Sequence, residues 1–323
     1  MKVVVVDADY PDIAVEREVL AGCTVVRADA RDPGAVAEAA RGADALIYQW
    51  ARITAEVFDA APSVGLVVRY GVGTDSVDLD AAAARGIWVA NVPDYGAEEV
   101  AAHTAAGLLA CARRLKPHDA LLASGTWDYL AAGPIRRISE LTLGCLGLGR
   151  IGRTLVSRVG AWFGTVVAHD PHVPHEEWPR DVERVDLDAL FARSDLLSLH
   201  LPLTDSTRHI ADARRLSLLP QGACLVNTAR GGLVDERALV ELLDSGRLAC
   251  AALDVWAEEP SGPAHPLVGH PRVIATPHVA WFSQESEVEV RRRAAENVLS
   301  WISSGAPDHA VVTGTRTAPV HRY

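Results

Sequence analysis

From the first residue onward, short β-branched and apolar runs alternate with Ala-rich stretches of helical spacing; the runs are 3–7, 24–27, 45–49, 66–70 and 88–91. This alternation predicts a parallel sheet with helices on its faces, because strands buried on both sides need covering on both sides. After the turn-like residues 93–96, a helical segment runs from Glu98 to about Leu115. Its Ala101, Ala102, Ala105, Ala106 and Ala110 permit the close packing of a domain or subunit interface. The rhythm then restarts. Apolar runs at 141–146, 165–169, 196–200, 223–227, 249–254 and 273–275 predict a second parallel sheet, and a charged amphipathic helix over 285–303 precedes a short tail. The tail is too short for a domain of its own and is expected to return to the first one.

The run at 141–146 ends in Gly147-Leu148-Gly149-Arg150-Ile151-Gly152. Three glycines at this spacing let a strand turn tightly into a helix, bring backbone N–H groups against a pyrophosphate, and pack the helix close to the sheet. The pattern alone also arises by chance in a Gly-rich chain, so its context matters. Here residues 153–163 read as a helix and 165–169 as a second strand ending at Asp170, 170 − 152 = 18 residues beyond the last glycine. A carboxylate at that place accepts hydrogen bonds from the adenosine ribose hydroxyls and repels a 2′-phosphate, which favours NAD over NADP. The alternative is a solvated Asp capping the turn before Pro171. The loop's mid-chain position implies that another domain precedes it.

Composition narrows the class. The 323 residues suffice for two domains of about 150 each. A hydrophobic fraction of 49% and a net charge of −11 describe a globular chain with neither a nucleic-acid surface nor an attraction to anionic membranes. The densest basic cluster, Arg291-Arg292-Arg293, lies among Glu285, Glu287, Glu289 and Glu296 and reads as a solvated helix face. Cys23, Cys111, Cys145, Cys224 and Cys250 are scattered, mostly in apolar segments, and read as buried reduced thiols. Neither they nor His169, His172 and His175 have metal-ligand spacing, so no metal is expected. With no charged leader before the first strand and no run of 18 apolar residues, a soluble cytoplasmic protein is expected.

Arg230, Glu259 and His278 each follow a strand of the second sheet. In open α/β sheets the ligand crevice lies beyond the carboxyl ends of the strands. An arginine offers a planar fork of donors to the carboxylate and carbonyl of a 2-oxo acid, and a histidine can give a proton to the nascent alkoxide. A carboxylate beside it would orient the ring and favour its charged form. Singly, each has a bland reading: a strand cap, an exposed acid before Pro260, a loop histidine after Pro277. Asp254 is a further candidate, as a partner of the nicotinamide amide or of His278, with a structural turn as the equal alternative.

Arg230-Gly231-Gly232-Leu233-Val234-Asp235-Glu236, Ala252-Leu253-Asp254-Val255 with Glu258-Glu259-Pro260, and Thr276-Pro277-His278 resemble the signatures of the D-2-hydroxyacid dehydrogenase family over nearly the full length. The family includes D-lactate, glycerate, 3-phosphoglycerate, formate and phosphite dehydrogenases. Arg69 before Gly71-Val72-Gly73, and Ala280-Trp281 after the histidine, look most like its C-terminal binding protein branch.

The resemblance implies a Rossmann NAD domain, residues 99–284, inserted into a split flavodoxin-like substrate domain, residues 1–98 plus 285–323, with the active site in the cleft. It implies hydride transfer between NAD(H) and a small D-2-hydroxy or 2-oxo acid. Arg230 matches the substrate anchor, His278 the acid/base and Glu259 its carboxylate partner. Val72 and Gly73 match the loop that holds the substrate carboxylate, and Arg69 and Trp281 match pocket residues. Gly147, Gly149, Arg150, Ile151, Gly152, Asp170, Pro202, Thr207, Thr228, Ala229 and Asp254 match cofactor positions. A homodimer through the NAD domain is also implied, and the Ala-rich helix and apolar Trp127 region suit it. Departures at Tyr70, Thr74 and His103 leave the substrate open. Two other readings stay beside this one: an NAD(H)-sensing corepressor-like protein, and a dehydrogenase of a phosphorus-containing acid served by Arg52, Arg69 and Arg230.

Overall fold

In the computed structural model, which describes residues 1–319, the chain forms two compact units, one of Met1–Gly96 with the described residues from Ser283 onward, the other Ala97–Phe282. Residues 320–323 of the tail assigned above to the substrate domain lie outside the described residues.

The first unit holds β1 (Lys2–Val5), β2 (Thr24–Arg27), β3 (Ala45–Tyr48), β4 (Leu66–Arg69), β5 (Trp88–Ala90) and the late β13 (Ala310–Val312), in the order β13-β5-β4-β3-β1-β2. All neighbours are parallel except β13, which runs antiparallel to β5 at the edge. β3 is buried at every position, as expected of a central strand covered on both faces.

The helix Gln284–Ser304 belongs to this unit, with a Ser283/Ser286 capping box at one end and Gly305 in the left-handed region at the other. Arg291 on this helix corrects the reading of a solvated basic face. It is only 4% exposed, and its guanidinium meets Glu16 at 3.0 Å, Asp12 at 3.1 Å and Glu287 at 3.2 Å. Glu16 in turn accepts from Tyr70 Oη at 2.7 Å. A cation can be buried only with paired charge around it, and here three acids supply that.

The second unit holds β6 (Thr142–Leu146), β7 (Thr165–His169), β8 (Glu183–Arg184), β9 (Leu196–Leu199), β10 (Ala223–Asn227), β11 (Leu248–Leu253) and β12 (Val273–Ala275). Their order is β12-β11-β10-β9-β6-β7-β8, and all pairs are parallel. The order reverses at β6 and β9, a topological switch point of the doubly wound kind. Apolar clusters cover both faces, one centred on Leu197, Leu225 and Leu239, the other on Leu108, Leu143 and Leu155. The long helix expected to reach Leu115 stops sooner. It spans Ala97–Ala112, Arg114 turns left-handed at φ 57°, and a second helix, Leu115–Ala123, follows. Beyond it Trp127, Tyr129 and Leu130 are 90%, 80% and 68% exposed. Cys23 is half-buried, Cys111, Cys145, Cys224 and Cys250 are buried, and all five are free thiols. Among the described residues no helix is long and apolar enough to cross a membrane.

Candidate active site

The turn after β6 is built by glycine because nothing else fits. Gly147 has φ 97°, and a Cβ there would lie 2.7 Å from the His200 carbonyl oxygen. A Cβ on Gly152 would overlap the Gly147 carbonyl, so the helix Arg150–Val159 starts hard against its own turn. Gly149, the N-cap, differs: its Cβ direction is open, and no side chain caps the helix. The first N–H groups of a helix lack internal partners, and these, of Arg150, Ile151 and Gly152, begin the helix behind that opening. The helix spans Arg150–Val159, beginning before the expected 153, and a 3-10 turn over Gly160–Trp162 follows it.

Beneath the turn lies His200, which follows β9 and whose Nε2 is 2.9 Å from Ser198 Oγ. Burial lowers its pKa to about 4, so the imidazole is neutral at pH 7. Asp170, following β7, is 8% exposed. It accepts from Leu148 N–H of the glycine turn at 2.8 Å and from His172 N–H at 2.9 Å, which ties the end of β7 to the turn. A carboxylate has about four lone-pair directions, so two remain for hydroxyl donors.

Past β10, β11 and β12 the expected trio assembles within the second unit. His278 Nδ1 and Glu259 Oε2 are 2.7 Å apart, and Glu259 Oε1 accepts from Trp256 N–H at 3.0 Å. Because the carboxylate is the acceptor, Nδ1 carries the proton and Nε2 points its lone pair or second proton elsewhere. Burial opposes the Glu259 charge, but the His278 hydrogen bond and charge, the Trp256 N–H and the Arg230 guanidinium together hold its carboxyl below the ordinary value. Asn227 ends β10 and brackets Arg230, donating to its carbonyl at 2.9 Å and accepting from Ala229 N–H at 3.0 Å. Arg230 itself donates to the Ala229 carbonyl at 2.7 Å.

His278 has φ 54°, a region rare for a side chain of this size. Asp254, 1% exposed, holds it there. Its carbonyl accepts the His278 N–H at 2.7 Å, and its carboxylate accepts from Val279 N–H, Ala280 N–H and Thr276 Oγ1 at 2.9, 2.9 and 2.5 Å. His103, noted above as a departure, lies 3.2 Å from Thr276 Oγ1.

Residues 105–280 match the family model described as D-isomer specific 2-hydroxyacid dehydrogenase, NAD binding domain. The chain belongs to the D-2-hydroxyacid dehydrogenase family. It is 38% identical to a glyoxylate reductase of Aeropyrum pernix over 281 residues, 84% of each chain. It is 39% identical to the D-3-phosphoglycerate dehydrogenase of Mycobacterium tuberculosis over 275 residues, 84% of this chain; the match spans about half of that relative, 52% of its length. A D-lactate dehydrogenase from Aquifex aeolicus, solved with NAD and lactic acid, superposes with a TM-score of 0.87 at 26% identity, covering 97% of this chain and 100% of that one. The match places the NAD-binding domain in the second unit, and the open glycine turn, the uncapped helix and Asp170 fit a dinucleotide there.

The remaining expected residues are placed as follows. Thr207 Oγ1 donates to the Pro202 carbonyl at 2.7 Å and accepts from Thr204 N–H, closing the loop after β9. Thr228 Oγ1 pairs with Thr104 Oγ1 at 2.8 Å. Trp281 meets the Phe282 ring edge to face at 5.7 Å. Arg69, Val72 and Gly73 belong to the first unit. The Arg69 guanidinium lies 6.0 Å from the centre of the Trp50 ring, and its buried Nε has no hydrogen-bond partner among the described residues. Val72 is 45% exposed, and its carbonyl accepts from Asn91 Nδ2 at 2.6 Å. Among the described residues, no group of three or more His, Cys, Asp or Glu could hold a metal ion. Asn227 and Trp256 escape sequence reasoning because each acts through hydrogen bonds in which a backbone group is one partner, and no residue type announces such a role.

Proposed function

We propose that this dehydrogenase interconverts a small D-2-hydroxy acid and its 2-oxo acid, with His278 as acid/base, Glu259 as its partner and Arg230 as the substrate anchor. The observation that carries this reading is the 2.7 Å contact of His278 Nδ1 with Glu259, set beside Arg230 beyond the strand ends of the NAD-binding domain. A bound nicotinamide supplies the hydride. In reduction, the carbonyl carbon gains the hydride and its oxygen takes a proton from His278 Nε2; in oxidation both move back. Glu259 keeps Nδ1 protonated and offsets the positive charge of the ring before transfer. Arg230, its backbone held by Asn227 and its guanidinium by Ala229, offers two donors to carboxylate and carbonyl oxygen. Asp170 supports NAD over NADP, since a 2′-phosphate would approach a charged carboxylate.

Relatives named glyoxylate reductase and hydroxypyruvate reductase support a short-chain 2-oxo acid. Reduction of glyoxylate, hydroxypyruvate, pyruvate and longer 2-oxo acids, followed by NADH absorbance, tests this. Turnover of at least one supports it; NADH binding with no turnover across the panel contradicts it and favours a sensor.

A further inference from the structure

Glu236 belongs to the Arg230–Glu236 motif, yet the chemistry above leaves it unused. It sits at the start of the helix Glu236–Asp244, whose N-cap is already supplied by Asp235, which accepts from Ala238 N–H. Glu236 turns instead toward the loop after β11. Its Oε1 accepts from Ala257 N–H at 3.0 Å, and its Oε2 lies 3.1 Å from His265 Nε2. His265 Nδ1 accepts from Leu267 N–H at 3.3 Å, so Nε2 carries the proton and donates to Glu236. The His265 ring also stands edge-on to Trp256, 5.4 Å between centres.

Trp256 and Ala257 are therefore gripped on several sides. Trp256 N–H donates to Glu259, and its indole N–H donates at 3.1 Å to the carbonyl of Thr276, two residues before His278. A Cβ on Gly231, next to Arg230, would overlap the Trp256 carbonyl and the Ala257 nitrogen, so the motif's backbone presses directly on this turn. One dipeptide thus touches the supports of all three proposed active-site residues, and Glu236 with His265 fastens its outer side.

We infer that Glu236, oriented by His265, is a positioning residue that clamps the Trp256–Ala257 turn and so keeps the Glu259 carboxylate aligned on His278. This deepens the function proposed above and rests on it. His278 and Arg230 are charged groups facing Glu259, and Glu236 faces His265. The Trp256 N–H bond and the His278 contact are among the causes that hold the Glu259 carboxyl below its ordinary value. Loosening the turn weakens both, and the Glu259 carboxyl then protonates at higher pH.

The test compares wild type with Glu236→Gln, Glu259→Gln and the double variant, using kcat/KM for the best 2-oxo acid across pH. Glu236→Gln is expected to lose roughly tenfold at neutral pH with the KM for NADH unchanged, and its acid limb is expected to move to higher pH. Removal of a negative charge acting only through space would move that limb to lower pH, which contradicts the inference. The double variant is expected to cost no more than Glu259→Gln alone, and additive losses overturn the proposal. Hydrogen exchange needs no turnover and separates this inference from the proposed function. In Glu236→Gln, faster exchange confined to a peptide covering 255–260 supports the clamp. Unchanged exchange there overturns it, whatever the substrate panel shows.

Discussion

Asp254 holds His278 from two directions: its carbonyl takes the His278 N–H at 2.7 Å, while its carboxylate takes the two following N–H groups, of Val279 and Ala280. The φ of 54° at His278 is kept by these bonds and not by any preference of histidine. Asp254→Asn leaves one acceptor oxygen in place of two and buries an amide N–H₂ among donors. The loss of buried hydrogen bonds is expected to cost about 1–3 kcal/mol of stability. It is also expected to lower kcat by at least about tenfold by freeing the His278 turn. Thermal melting and steady-state kinetics check both, and unchanged kcat in a destabilised variant would show that the turn holds without this carboxylate.

Asp170 has two duties in this geometry, because the carboxylate expected to meet a ribose also accepts the Leu148 N–H of the glycine turn. Asp170→Ala is therefore predicted to weaken NADH binding and, by removing a negative charge, to narrow the preference over NADPH. Titration of both cofactors by fluorescence measures the ratio. An unchanged ratio alongside weaker binding would confine Asp170 to its turn-holding duty.

His200 makes stability depend on pH in a definite window. Its folded pKa is lowered to about 4 by burial, against an ordinary value of about 6.5 in the unfolded chain. Between those values the unfolded state binds the proton and the folded state does not, so stability falls as pH falls from about 6.5 to about 4. A shift of that size corresponds to roughly 3 kcal/mol. His200→Gln should flatten this part of the curve when urea unfolding is followed across pH, while a slope equal to that of wild type would mean other groups carry it.

How much of this was legible along the chain depended on how local each cause is. The glycine turn reads directly, because a φ of 97° at Gly147 and a near-contact at Gly152 leave one residue type possible. Both sheets read well, since strands such as β3 and β11 are apolar at nearly every position. Arg291 misled because its main partner, Glu16, is 275 residues away, and the nearby glutamates of its own helix suggested solvent. The break at Arg114 does carry a proline signal: Pro117, three residues on, has no N–H with which to continue the first helix. In the site, Arg230, Glu259 and His278 stood out as ionisable residues after strands. Glu236 and His265 did not, because each touches backbone or a partner 21 or 29 residues off, and no short spacing announces that.

The most direct measurement replaces His278 with Gln and follows NADH oxidation by the best 2-oxo acid beside NADH binding. The account predicts binding within about twofold of wild type and a kcat lower by about two to four orders of magnitude, the usual contribution of a positioned acid/base. Turnover close to wild type at equal NADH affinity would contradict it and place the proton donor elsewhere.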